Sequence, residues 1–198
     1  MKVREVITYK EYFDDFFKKQ PQKVRDKIIK VLDIIEQIDR IPTTYLKYIE
    51  GTNGLFEVRV QLGNNIFRIF CFFDGNKLVV LLSGFQKKTQ KTPPEEIKRD
   101  FRMNTKTLDQ IKNEYYGEVG APERDRLERE LEALRIGFKI RSAREKLEMT
   151  QAELASRIDK KRTFISKVEN DGENITLKTL FDIVERGLGG KLNIEVQL

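Results

Sequence analysis

Residues Met149–Asn170 constrain the fold more tightly than any other stretch, because they specify two short helices joined by a turn. Thr150 and Glu153 have capping-box spacing, in which each side chain satisfies a free N–H of the first helical turn. Leu154, Ala155 and Ile158 then share one helical face, as do Ile165 and Val168 of the following segment. Between the two lies Asp159-Lys160-Lys161, and aspartate tolerates the left-handed backbone that such a turn requires. Arg162, Thr163, Phe164, Ser166 and Lys167 are left for the outer face of the second helix. Together with Gln151, Lys160 and Lys161 they make a mixture of cations, hydroxyls, amide and aromatic suited to phosphate and base-edge contact in a major groove. The alternative is a helical hairpin that only packs.

The strings Thr150-Gln151-x-x-Leu154-Ala155 and Ile165-Ser166-x-x-Glu169-Asn170 resemble the Cro/phage-repressor helix-turn-helix family. Three turn positions depart from it: the family usually has glycine at Asp159, an apolar residue at Lys160 and serine at Lys161. The resemblance implies operator DNA as partner, read by a homodimer on palindromic half-sites.

At 198 residues the chain has room for one large or two small domains. Charge is unevenly divided. Residues 1–102 hold 20 Lys/Arg against 14 Asp/Glu, and residues 103–198 hold 18 of each, so the whole net charge of +6 lies outside the helix-turn-helix half. A polyanion is therefore a natural partner for the first half too, a basic solvated face being the alternative. There are no histidines and one cysteine, Cys71, within the apolar stretch Phe70–Phe73. A zinc site and a disulfide within the chain are both disfavoured, core packing is expected of Cys71, and the composition is that of a cytoplasmic protein. No metal or other cofactor is expected, so any catalysis must use Arg, Lys, Tyr, Ser or carboxylates. No apolar run approaches the roughly 18 residues of a membrane span, and no signal peptide opens the sequence.

Along the first half, Val3–Thr8 reads as a strand. Tyr9–Gln20 reads as a helix with a stripe of Tyr9, Tyr12, Phe13, Phe16 and Phe17. After Pro21, apolar residues Val24, Ile28, Val31, Leu32, Ile35 and Ile38 define a second amphipathic helix. Beyond Pro42, residues 55–62 alternate, with Glu57, Arg59 and Gln61 opposite Phe56, Val58, Val60 and Leu62. Turn residues at 63–65 and 74–76 separate two further strands, 66–73 and 77–83. The expected architecture is α+β, two helices packed on an antiparallel sheet. Arg59 and Arg68 fall on neighbouring strands, close enough to share one anion. Lys87, Lys88 and Lys91 follow the third strand. The set reads as a cationic cluster with no acidic counterpart; the alternative for each arginine is an ion pair with Glu57 or Glu50.

The strings GTNGLFEVRV (51–60), FRIFCFFDG (67–75), LVVLLSGFQKKTQKTP (78–93) and EEIKR (95–99) resemble the phage-protein-like branch of the RelE/HigB-like toxins. The resemblance implies a small α/β ribonuclease-like fold that cleaves mRNA on the ribosome without metal, by attack of a 2′-OH on the adjacent phosphate. On it, Arg59 and Arg68 clamp the scissile phosphate, Lys87 and Lys88 act as acid/base or RNA clamps, and Lys47 and Lys91 bind RNA. Many relatives carry histidine where this chain has Ser83.

After Pro93-Pro94, Glu95–Phe101 begins a helix, and Met103 resembles the start of a HigA-like antitoxin retained within one chain. The expected domains are 1–102, toxin; 103–125, antitoxin N-terminal helix and linker; and 126–198, an all-α helix-turn-helix domain with a terminal strand. Thr105 or Thr107 caps a helix to Tyr116. Gly117–Pro122 is a break, and Leu127, Leu131, Leu134 and Phe138 mark a long helix whose last turns carry Ile140, Ala143 and Leu147. Thr176–Arg186 closes the domain, and residues 191–198 alternate as a strand that needs a partner. The acidic residues Asp109, Glu114, Glu118, Glu123 and Glu128 are expected to cover the basic site. The rival reading is a non-enzymatic regulator whose first domain senses a ligand or binds RNA.

Overall fold

The computed structural model describes residues 2–9, 11–52, 54–75, 78–86, 105–172 and 175–195, with backbone alone over 78–86. The chain divides into two compact units, Met1–Leu127 and Glu128–Leu198.

The first unit runs β1 (Glu5–Tyr9), α1 (Tyr12–Lys18), α2 (Gln22–Gln37), β2 (Leu46–Tyr48), β3 (Leu55–Leu62), β4 (Asn65–Asp74), β5 (Leu78–Gln86), β6 (Thr105–Thr107) and α3 (Leu108–Tyr116). One six-stranded sheet has the order β2-β3-β4-β5-β1-β6. It is α+β and antiparallel except at one seam: β1 pairs parallel with β5, a non-local pairing that hairpin turns cannot signal. The period-2 pattern of β3 and β4 buries Val58, Val60, Phe67, Ile69 and Cys71 on one face. α1 and α2 supply Phe13, Phe17, Ile28, Leu32 and Ile35 to the core, all fully enclosed. Tyr9 belongs to β1 rather than to the aromatic helix expected from residue 9. Burial holds the Cys71 thiol far above its usual pKa, so it is an unreactive core side chain.

The polar face of α2 departs from a simple amphipathic helix. Asp33 and Glu36 lie opposite the expected apolar stripe and are fully buried, because α3 and the N-terminal residues pack over them. Glu95–Phe101 and Met103 lie outside the described residues.

α4 (Pro122–Lys146) begins in the first unit, where Leu127 is buried, and continues into the second. The second unit then adds α5 (Gln151–Arg157), α6 (Arg162–Asp171), α7 (Leu177–Phe181) and a π-helical turn over Asp182–Gly187. Its core is Ile140, Met149, Leu154, Ala155, Ile158, Ile165, Val168 and Ile183. Leu147, assigned to the packed last turns of α4, is instead half exposed. Gly172 ends α6 in the left-handed region at φ 63° and lies so close to the Ala133 carbonyl that any Cβ would overlap it. Residues 191–195 form no strand, contrary to expectation: alternation creates a strand only where another strand supplies the hydrogen bonds. Residues 196–198 lie outside the described residues.

Candidate nucleic-acid interfaces

Two clusters of the expected site residues assemble, one in each unit. In the first unit, Arg59 and Arg68 are direct cross-strand partners, and Glu57 sits one step along β3 in register with Phe70 and with Lys47 of β2. Register partners project to the same side of a sheet, so Lys47, Glu57, Arg59 and Arg68 share the face opposite Val58 and Val60. The cluster has an acidic counterpart, which corrects the sequence expectation. Glu57 places one carboxylate oxygen 3.3 Å from Arg59 Nε and the other 3.2 Å from Arg68 Nε. Two guanidiniums at neighbouring positions would repel, and one carboxylate between them offsets that repulsion. Arg59 Nη1 also donates to the Thr43 carbonyl at 3.4 Å.

The arrangement leaves surplus positive charge. One carboxylate faces two guanidiniums, and exposed Lys47 adds a third cation on the neighbouring edge strand. Arg68 is the more enclosed arginine, its side chain 11% accessible against 35% for Arg59. Burial lowers its pKa, the Arg59 charge lowers it further, and Glu57 acts the other way. Such a group gives a strong, poorly solvated contact to an incoming oxyanion. Ser83 pairs with Phe70, which puts it in the register row of Glu57. Lys87, Lys88 and Lys91 lie outside the described residues.

In the second unit the capping box forms: the Glu153 amide donates to Thr150 Oγ1 at 3.2 Å, and the Thr150 amide to Glu153 Oε2 at 2.6 Å. These bonds hold the Glu153 carboxyl below its usual pKa. Asp159 takes φ 55°, the left-handed turn conformation. Lys160, Lys161, Arg162, Thr163 and Lys167 are exposed around the start and outer face of α6, as a groove-reading helix requires.

Three expected contacts are partly committed elsewhere. Phe164 is not on the outer face but packs half-buried against the core, with Lys160 Nζ 5.8 Å from its ring centroid. Ser166 accepts from Asn170 Nδ2 through its carbonyl at 2.7 Å and its hydroxyl at 3.3 Å. Gln151 Nε2 donates to Glu169 at 2.9 Å. Glu169 anchors a network that periodicity cannot show, since its partner is 25 residues away. Arg144 clamps it through Nε at 2.5 Å and Nη2 at 2.9 Å and donates to the Met149 carbonyl at 2.7 Å. The Glu169 hydrogen bond holds the Arg144 pKa above the usual arginine value.

Four of the five acidic residues expected over the basic cluster bind elsewhere. Asp109 binds Lys2 at 2.7 Å, Glu114 binds Lys106 at 2.6 Å, Glu118 accepts from Asn113 and Glu123 pairs with Arg126. The reason is topological: α3 follows β6, which joins the sheet on the β1 edge, and β5 and β1 intervene between it and β4.

Residues 15–103 match the family model of Phage derived protein Gp49-like (DUF891), and residues 140–186 match that of Helix-turn-helix. No curated protein matches the chain. The chain thus carries a Gp49-like domain followed by a helix-turn-helix domain, and the second of these implies DNA binding. Among the described residues, no helix is long and apolar enough to cross a membrane.

Proposed function

We propose, from the premise of a Gp49-like domain followed by a helix-turn-helix domain, that the chain is a toxin–antitoxin fusion. Its first part is a RelE/HigB-type, ribosome-dependent mRNA endoribonuclease. Its second is a HigA-type antitoxin that binds operator DNA as a dimer and represses its own transcription in the cytoplasm.

The observation that carries the reading is the Arg59–Arg68 pair, with Lys47 on the same face and Glu57 between the two arginines. Attack of a 2′-OH on the adjacent phosphate forms the new P–O bond of a cyclic phosphate and expels the 5′-oxygen. Negative charge grows on the non-bridging oxygens, and two fixed guanidiniums stabilise that charge more than the ground state. The 2′-OH proton needs an acceptor and the leaving oxygen a donor. Lys87 and Lys88, which follow Phe85, the register partner of Arg68, in the sequence, take these roles. Lys91 extends the RNA track. On the other unit, Lys160, Lys161, Arg162, Thr163 and Lys167 make phosphate and base contacts, with Gln151, Phe164 and Ser166 setting the helix position.

The test is growth of bacteria expressing residues 1–102, with and without residues 103–198 supplied separately. Arrest by the first fragment, rescue by the second and loss of arrest with Arg68→Ala are expected. Soluble 1–102 that leaves growth unchanged removes the nuclease assignment. A second reading, a non-enzymatic regulator, is favoured by one feature: Glu57 already ligates both arginines, as a structural ion cluster would.

A further inference from the structure

The segment Thr105–Tyr116 is held by the first unit as a strand–helix ligand is held by its receptor. β6 pairs antiparallel with β1 over three register positions, Ile7 with Thr107, Thr8 with Lys106 and Tyr9 with Thr105. The Thr8 hydroxyl accepts from the Lys106 amide at 3.3 Å and donates to its carbonyl at 3.5 Å. The chain then turns into α3 through a second capping box, Thr107 with Gln110. Leu108 and Ile111 are fully buried, and Tyr115 meets Phe17 edge-on at 4.9 Å under the Arg25 guanidinium.

Three polar contacts run from the segment to acidic side chains of α1 and α2. Lys106 Nζ lies 2.5 Å from Asp14, Lys112 Nζ 3.3 Å from Asp33, and the Tyr116 hydroxyl donates to Asp26 at 3.0 Å. Lys112 and Asp33 are both almost fully enclosed, with 3% and 1% of their side chains accessible. In these three contacts the acceptor belongs to α1 or α2 and the donor to the downstream segment, while Lys2 pairs with Asp109 in the opposite sense at 2.7 Å. Asp33 is a buried carboxylate with a cationic partner, Lys112, from outside the first 102 residues, and removing one partner of a buried ion pair is costly.

We propose that the β1 edge, with Asp14, Asp26 and Asp33, is a docking surface for a strand–helix element carrying cations at the positions of Lys106 and Lys112 and a phenol at that of Tyr116. In this chain the occupant is residues 105–116, and this contact, not a cover over Arg59 and Arg68, holds the downstream part to the upstream one. β6 stands three strand spacings from β4, about 14 Å. The element therefore grips the domain from the edge opposite the arginine face. The inference rests on the toxin–antitoxin reading only in naming the two sides toxin and antitoxin.

The test uses the full chain with a protease site inserted between Arg102 and Met103, cut after folding and followed by gel filtration. The two pieces are expected to travel together. Lys106→Glu is expected to weaken their association by about tenfold or more, and Asp14→Lys added to it to restore a measurable part. Lys112→Glu is expected to weaken it further; should that chain fail to fold, Lys106→Glu, at a site whose side chain is 40% accessible, still decides the matter. Wild-type pieces that separate on cutting overturn the proposal, as does a Lys106→Glu chain whose pieces stay bound as tightly as wild type. Since no RNA cleavage is read, failure here is distinct from failure of the nuclease assignment.

Discussion

Two glutamates, Glu57 and Glu169, each hold arginine, and they do so in opposite ways. Glu169 is matched one to one: both its oxygens are taken by Arg144, Gln151 adds a donor, and the carboxylate is 1% accessible. Glu57 is outnumbered: each oxygen meets a different arginine through a single Nε, and it remains 21% accessible. A closed, stoichiometric network fixes the packing of α4 against α6. An open one with surplus cation leaves charge for something else to neutralise. The difference separates a structural ion pair from a binding one where residue identity alone does not.

The largest expected effect tests the closed network. Glu169→Ala takes the bidentate partner from the buried Arg144 charge and leaves it the more distant Glu145 carboxylate at 3.7 Å, and the second unit should lose about 3 kcal/mol of stability. Glu57→Ala removes a carboxylate that is 21% accessible and makes no bidentate contact, and the loss should be smaller, about 1–2 kcal/mol. Denaturant unfolding of the full chain measures both. Equal losses at the two positions would dissolve the contrast.

Next in size is the open cluster read by function. Arg68→Ala should lower ribosome-dependent mRNA cleavage by about 10²–10³-fold, the usual cost of removing one fixed donor to a developing oxyanion. Glu57→Gln should raise affinity for a short RNA by up to roughly fivefold, since it removes the carboxylate that competes for both guanidiniums. The pair is measured by primer extension and by fluorescence anisotropy. If Glu57→Gln weakens RNA binding, the carboxylate positions the arginines rather than competing for them.

A smaller effect concerns α6. Lys161, its N-cap, and Arg162, its first residue, are exposed where a phosphate backbone would pass. Lys161→Ala should weaken operator and non-operator DNA alike and flatten the dependence of log K on log salt by about 1. A change confined to one base position would mark Lys161 as a base reader instead.

These contrasts also show what the residues disclose on their own. The alternation of residues 55–62, the hairpin turns and the Thr150–Glu153 box are local patterns, and each produced the expected element. The Arg59–Arg68 pairing followed from the same strand register. What escaped was non-local. The parallel β1–β5 seam depends on a pairing between residues more than 70 positions apart. Asp33 and Glu36 lie off the apolar stripe of α2, where an amphipathic reading gives them to solvent, yet Lys112 of α3 meets Asp33 and the N-terminal residues meet Glu36. Charge composition suggested that acidic groups of 105–128 would seek the basic cluster, whereas the topology gave Lys106 and Lys112 of that stretch to acidic groups of α1 and α2. Asp109 of that stretch does meet a cation of the first half, but it is Lys2 rather than Arg59 or Arg68.

The smallest predicted effect compares the two capping boxes, one in each unit. Thr107 accepts from the Gln110 amide at 3.2 Å and Thr150 from the Glu153 amide at the same distance. Either threonine replaced by alanine should cost about 1 kcal/mol, because one N–H of a first turn loses its acceptor. The consequences should differ by place. Thr150→Ala loosens α5 against its own core and should show as faster amide exchange in α5 alone. Thr107 joins β6 to α3, so Thr107→Ala should speed exchange in β1 as well as in α3, since β1 receives β6 along its edge. Protection in β1 that is unchanged by Thr107→Ala would mean that strand and helix dock independently, and that the segment 105–116 does not act as a single element.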